Sequence, residues 1–134
     1  RFVLQFGERT VAIENEQVIA AQAETRFQIF KVLWTRFLED ICDGVLPDEF
    51  RVLDITGITK TLQDETGASL EDESNIRRTV NRLQEDIEKA VKKKLGLPID
   101  REDIIQTCRW QGLDSDSYGY RINPVTVCAR PFLG

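Results

Sequence analysis

Ile76, Val80, Leu83 and Ile87 follow one another at spacings of four, three and four residues. That rhythm puts all four on one side of an α-helix and does not suit a strand, whose side chains alternate. The positions between them carry Arg77, Arg78, Asn81 and Arg82, with Ser74 and Asn75 at the front end. One side of this helix is built for a core, and the other offers guanidinium and amide groups. Those are the groups that pair with guanine and adenine edges or hold phosphates. The stretch from Ser74 to Lys94 or Leu95 therefore reads as a DNA-recognition helix. The plain alternative for Arg77, Arg78 and Arg82 is a solvated face paired with nearby acids.

At 134 residues the chain suits a single domain with a real core. A hydrophobic fraction of 41% with 31% charged residues is that of a soluble globular protein. No apolar run approaches the roughly 18 to 20 residues that span a bilayer, so no membrane partner is expected. The opening Arg1-Phe2-Val3-Leu4-Gln5 lacks the apolar core of a signal peptide. The chain has no Met at all, which we read as the mark of a piece of a longer protein. The net charge of −5 argues against a protein that coats nucleic acid by charge alone, but not against one with a single basic face. Three scattered cysteines, Cys42, Cys108 and Cys128, give no disulfide framework and fit a reducing cytoplasm. With no histidine and no cysteine pair at ligand spacing, neither a metal nor any other cofactor is expected.

Taken in order, residues 1–21 predict a small antiparallel meander of strands at Phe2–Phe6, Thr10–Ile13 and Gln17–Ala21. Such a sheet needs a helix to cover one face. Glu24 to Cys42 supplies it, with Phe27, Phe30, Val32, Leu33, Trp34, Phe37, Leu38 and Ile41 inward. Arg26, Lys31, Arg36, Glu39 and Asp40 are expected outside, and Gly44 is the stop. After a connector at Val45–Phe50, Arg51–Leu53 predicts a short strand. Asp54 predicts the N-cap of a second helix through Leu62 or Asp64, with Ile55, Ile58 and Leu62 inward. Gln63–Glu73 is a polar, acidic loop whose last carboxylates suit the start of the third helix. In that helix Glu85–Lys89 and Glu88–Lys92 are favourable pairs, and Gly96 with Pro98 ends it. Ile104–Trp110, a turn at Gly112–Ser117 and Tyr118–Ile122 predict a hairpin, while residues 123–134 form a tail without a clear pattern.

This order, with the residues that carry it, resembles the OmpR/PhoB-type winged-helix DNA-binding domain, the output module of bacterial response regulators. That family carries a recognition-helix pattern of the kind Arg-Thr-Val-x-x-x-Ile-x-Arg-Leu. Ser74-Asn75-Ile76 stands at its front here, Val80 at the Ile, and Arg82-Leu83 at the Arg-Leu. The family's wing reads roughly Ile-x-Thr-Val-Arg-Gly-x-Gly-Tyr-Arg. This chain has Ile105-Gln106-Thr107-Cys108-Arg109, an insertion, and then Tyr118-Gly119-Tyr120-Arg121. The resemblance spans residues 2 to 122 and implies an α+β fold. Its parts are a small N-terminal antiparallel sheet (1–21), a three-helix core (24–95) forming a winged helix-turn-helix, and a C-terminal β-hairpin wing (104–122).

The resemblance further implies base contacts from Arg78, Asn81 and Arg82, and phosphate contacts from Asn75, Arg77 and Thr79. Arg109 and Tyr118 join them from the wing, and Arg121 matches the arginine that enters the minor groove. Double-stranded DNA is then the partner, with RNA polymerase at the loop before the third helix and a second copy of the chain as further partners. Four features depart from the pattern: Ala23-Glu24-Thr25 where a Thr-Pro pair is usual, the longer acidic loop, Asp114 and Asp116 in the wing insertion, and the basic extension after Leu83.

An enzyme finds no support in a chain without histidine, without a Gly-rich phosphate loop and without a nucleophile beside a visible base. The serious rival is a winged-helix protein-interaction or dimerisation module in a bacterial regulatory assembly, which an acidic pI of about 4.8 favours.

Overall fold

The computed structural model describes residues 2–6, 11–14, 16–19, 24–66, 73–109 and 118–129. It is an α+β arrangement of three helices and two small sheets. The expected turn at Gly112–Ser117, the middle of the acidic loop (67–72), and Thr10, Ala20 and Ala21 lie outside the described residues.

Strands β1 (Phe2–Phe6), β2 (Val11–Ile13) and β3 (Glu16–Ile19) pair as an antiparallel meander. The β2–β3 turn is made by Glu14, at φ +52°. That left-handed backbone is held from two sides, because Glu14 N–H donates to the Val3 carbonyl (3.0 Å) and its Oε1 accepts from Val3 N–H (2.8 Å). The sheet's fourth strand is the finding the sequence did not announce. The unassigned tail contributes β7 (Val127–Ala129), which pairs parallel to β1 with Phe2 opposite Val127.

Helix α1 (Glu24–Cys42) lays Phe27, Ile29, Phe30, Val32, Leu33, Trp34 and Phe37 into the core. Its last turn departs from expectation. Leu38 and Ile41 are exposed, whereas Asp40, seven residues after Leu33 and so on the same face, is buried. A carboxylate is held there because it is fully occupied: Arg51 reaches it with Nε (2.8 Å to Oδ1) and with its backbone N–H (2.9 Å to Oδ2). Arg51 Nη2 also meets Glu39 at 3.0 Å. These bonds, the Asp40 hydrogen bond first, raise the Arg51 guanidinium pKa above its ordinary value. Gly44, at φ +70°, ends α1, with Gly44 N–H on the Ile41 carbonyl (3.1 Å) and Val45 N–H on that of Asp40 (3.0 Å).

The chain then passes through a 3-10 turn at Pro47–Glu49 into β4 (Leu53–Asp54) and α2 (Ile55–Thr66). Asp54 caps α2 as expected, its Oδ1 accepting from Gly57 N–H at 2.6 Å. The helix outlasts its weak composition by two further residues, through Thr66, and Ile55, Ile58 and Leu62 are buried. Helix α3 (Glu73–Leu95) ends at Gly96, φ +64°, whose N–H donates to the Lys92 carbonyl. β5 (Ile105–Arg109) and β6 (Tyr118–Ile122) pair antiparallel from Ile105–Ile122 to Arg109–Tyr118. β4 adds to β6, giving a three-stranded sheet in the order β4-β6-β5.

Between β6 and β7, Asn123 forms the turn. Its Oδ1 accepts from Val125 and Thr126 N–H, and its Nδ2 donates to the Glu102 carbonyl. Residues 123–126 thus lead from one sheet to the other.

Candidate nucleic-acid interface

The stripe that opened the argument is where it should be. Ile76, Val80, Leu83, Ile87 and also Val91 are all buried against the core. With that side fixed, Arg77, Arg78 and Arg82 are exposed on the outer turns of α3. Arg78 and Arg82 stand one turn apart on the same outward line. Among the described residues neither makes a hydrogen bond or an ion pair.

The other expected contacts are less open. Asn75 and Thr79 are half-buried, and Thr79 Oγ1 donates back to the Asn75 carbonyl at 2.8 Å, a bond internal to the helix. Asn81, also half-buried, accepts from Arg101 through its Oδ1 at 3.3 Å. The side chains of Arg109 and Tyr118 lie outside the described residues, although their backbones close the β5–β6 ladder.

Arg121, which the resemblance matches to the wing arginine, is engaged within the fold. Its Nε donates to Gln106 Oε1 (2.8 Å), and its Nη1 to the carbonyls of Phe50 (3.0 Å) and Pro47 (3.3 Å). Alternation along β6 explains this. Tyr120 turns into the core, and Arg121 turns to the face where the connector after α1 runs. The guanidinium is a strut between hairpin and connector.

Two residues that the sequence reading passed over hold the site together. Gln84 falls inside the apolar stripe and is buried, and its Nε2 donates to the Ile105 carbonyl (2.8 Å) and to Thr107 Oγ1 (3.0 Å). It bolts β5 to α3, and the signal for it was a polar side chain four residues after Val80. Arg101, in the connector between α3 and β5, lies against Asn81 and 3.6 Å from Glu85. Nothing local in the sequence marks it.

Glu85 therefore serves Arg101, and the expected Glu85–Lys89 pair is not among the ion pairs of the described residues. Glu88–Lys92 is formed, at 3.6 Å. Asp86 bonds Arg26 of α1 at 2.6 Å.

Little else in the molecule offers chemistry. Among the described residues no group of His, Cys, Asp or Glu side chains could hold a metal ion. A hollow lined by Leu33, Asp40, Arg51, Tyr120 and Arg121 contains no enclosed volume. Burial pushes the Cys108 thiol pKa up, against the opposing pull of Arg121. Among the described residues no helix is long and apolar enough to cross a membrane. Comparison with protein-family models, with curated proteins and with solved structures finds no match for this chain.

Proposed function

We propose that this chain is a winged-helix domain that binds double-stranded DNA in a sequence-specific way, as the output part of a transcription regulator. α3 enters the major groove and the β5–β6 hairpin lies along the neighbouring backbone. The observation that carries the reading is the pair of exposed guanidiniums, Arg78 and Arg82, without a partner among the described residues, on a helix whose other side is locked to the core. The order helix, strand, helix, helix, hairpin, with β4 added to β6, supports it, because it puts a β-ribbon beside the third helix. Gln84 fixes that ribbon at a set distance from the helix. Arg101 brings a further cation to the same flank. A guanidinium on guanine O6 and N7 gives roughly 1–3 kcal/mol of discrimination per good pair.

Because the whole chain is acidic, binding must come from local contacts, and these have a measurable signature. Affinity carried by guanidinium–phosphate contacts falls steeply as salt rises. The test is enrichment from random duplexes at two salt concentrations, repeated with Arg78→Ala and Arg82→Ala. Enrichment of a defined site, lost in either variant, supports the reading. Retention of no duplex at the lower salt overturns it.

A protein-interaction module is the second reading, favoured by the exposed Leu38, Ile41 and Leu46 and by the charge of −5. It expects a partner whose binding is indifferent to Arg78 and Arg82. RNA polymerase and a second copy of the chain are the partners the regulator reading expects.

A further inference from the structure

The cationic side of α3 does not stop at Arg82. Lys89 and Lys93 are exposed further along it, and neither has an ion-pair partner among the described residues. At 3.6 residues per turn, Arg78, Arg82, Lys89 and Lys93 fall within an arc of about 60°, opposite the buried Ile76, Val80, Leu83 and Ile87. At 1.5 Å per residue this ridge is about 22 Å long. The carboxylates of the same stretch are all answered. Glu85, which interrupts the ridge, meets Arg101 at 3.6 Å; Asp86 meets Arg26 at 2.6 Å and Glu88 meets Lys92 at 3.6 Å. On a chain of net charge −5, the ridge is therefore a local line of positive charge. Complementing the helix dipole accounts for Lys92, Lys93 and Lys94 in the last turn, but it does not reach back to Lys89.

A line of cations complements a linear polyanion, and duplex DNA carries one phosphate charge per about 1.7 Å of its axis. The major groove is about 12 Å wide and winds round the duplex, so a helix does not stay inside it for about 22 Å. With Arg78 and Arg82 at the bases, Lys89 comes about 10 Å further on, at the phosphate wall of the groove. Ammonium groups on flexible stems suit that place, since they act as point charges and read no base. We propose that Lys89 and Lys93 are a phosphate clamp that extends the duplex contact of α3 beyond its base-reading turns. This rests on α3 being the DNA-reading helix. It goes beyond that reading by dividing the helix into a front that selects sequence and a rear that holds any sequence.

The test is duplex affinity across a range of salt for the unaltered protein, Lys89→Gln, Lys93→Gln, the double variant and Lys31→Gln. All three lysines are exposed, so the core stays intact, and Lys31 on α1 is a control of equal charge change. Each protein meets two duplexes, one enriched by the unaltered protein and one of scrambled sequence. Each ridge substitution should weaken binding to both duplexes by the same factor. It should also make the slope of log affinity against log salt shallower by about 0.9, and the double variant by about 1.8. Lys31→Gln should leave that slope unchanged. An unchanged slope in the double variant, weakening confined to the enriched duplex, or an equal effect of Lys31→Gln each overturns the clamp while leaving DNA binding standing. If the unaltered protein binds neither duplex at any salt, the DNA reading itself falls, and the clamp with it.

Discussion

Gln84 is the polar side chain on which the relation of helix to hairpin turns, and its removal has a size that can be worked out. In Gln84→Ala two hydrogen bonds vanish, one to the Ile105 carbonyl at 2.8 Å and one to Thr107 Oγ1 at 3.0 Å. Ile105 is fully buried, so water does not readily replace the lost donor at its carbonyl; that end costs about 1–3 kcal/mol. Thr107 is half-buried and its hydroxyl can rotate toward solvent, which adds only about 0.5 kcal/mol. The missing side-chain atoms leave a void beside Val80 and Ile87 worth about 1 kcal/mol more. The sum is about 2.5–4.5 kcal/mol. Gln84→Met keeps the volume and should lose only the polar share, about 1.5–3.5 kcal/mol. Urea unfolding measures both, with an unchanged slope showing that the change lies in stability alone. Amide exchange along β5 should rise in both variants, since the hairpin is no longer bolted to α3. If Gln84→Met matches the unaltered protein in stability and in β5 exchange, the bolt does not exist.

Other perturbations separate the remaining contacts. Asp40→Ala should lower the urea midpoint well beyond Glu39→Ala, because Asp40 is buried and binds both the backbone and the side chain of Arg51, while Glu39 is half-exposed; equal effects would contradict this. Cys108 should alkylate later than the exposed Cys42 and with its pH midpoint displaced upward, since burial disfavours the reactive thiolate; mass spectrometry of a time course decides the order. The same raised pKa means that Cys108 contributes stability fully below the unfolded thiol's ordinary value and loses it as pH rises through the folded one, so Cys108→Ser should flatten the alkaline decline. Deleting residues 127–134 removes β7 and turns β1 into an edge strand; lower thermal stability and self-association by light scattering are expected, and an unchanged melting point would refute β7 as part of the sheet.

What the residues disclose in advance depends on how local the cause is. The α3 stripe was legible because helical periodicity and burial share one period, and Ile76, Val80, Leu83 and Ile87 obey it without exception. The Asp54 cap and the Gly44 and Gly96 stops were legible for a similar reason, since each acts within one turn of itself. The tail was not, because Val127–Ala129 is a strand of three residues whose partner, Phe2–Leu4, lies at the other end of the chain. Asp40 misled because helix pattern alone cannot foresee Arg51 arriving from the connector to satisfy it. For Arg121 the motif is silent on the fold: it matches a wing arginine, and nothing in it foretells the bonds to Gln106 and the connector carbonyls. Arg101 had no periodic signal at all, and only the folded path of the α3–β5 connector brings it to Asn81.

The parallel pairing of β1 with β7 has a mechanical consequence. The two strands run the same way, one near the start of the chain and one near its end. Tension applied across the two termini therefore drags them past each other lengthwise, and every rung between Phe2–Val127 and Leu4–Ala129 shares the load at once. A chain stretched in an optical trap should give way in one abrupt rupture; a gradual, rung-by-rung ramp would show that the rungs do not act together.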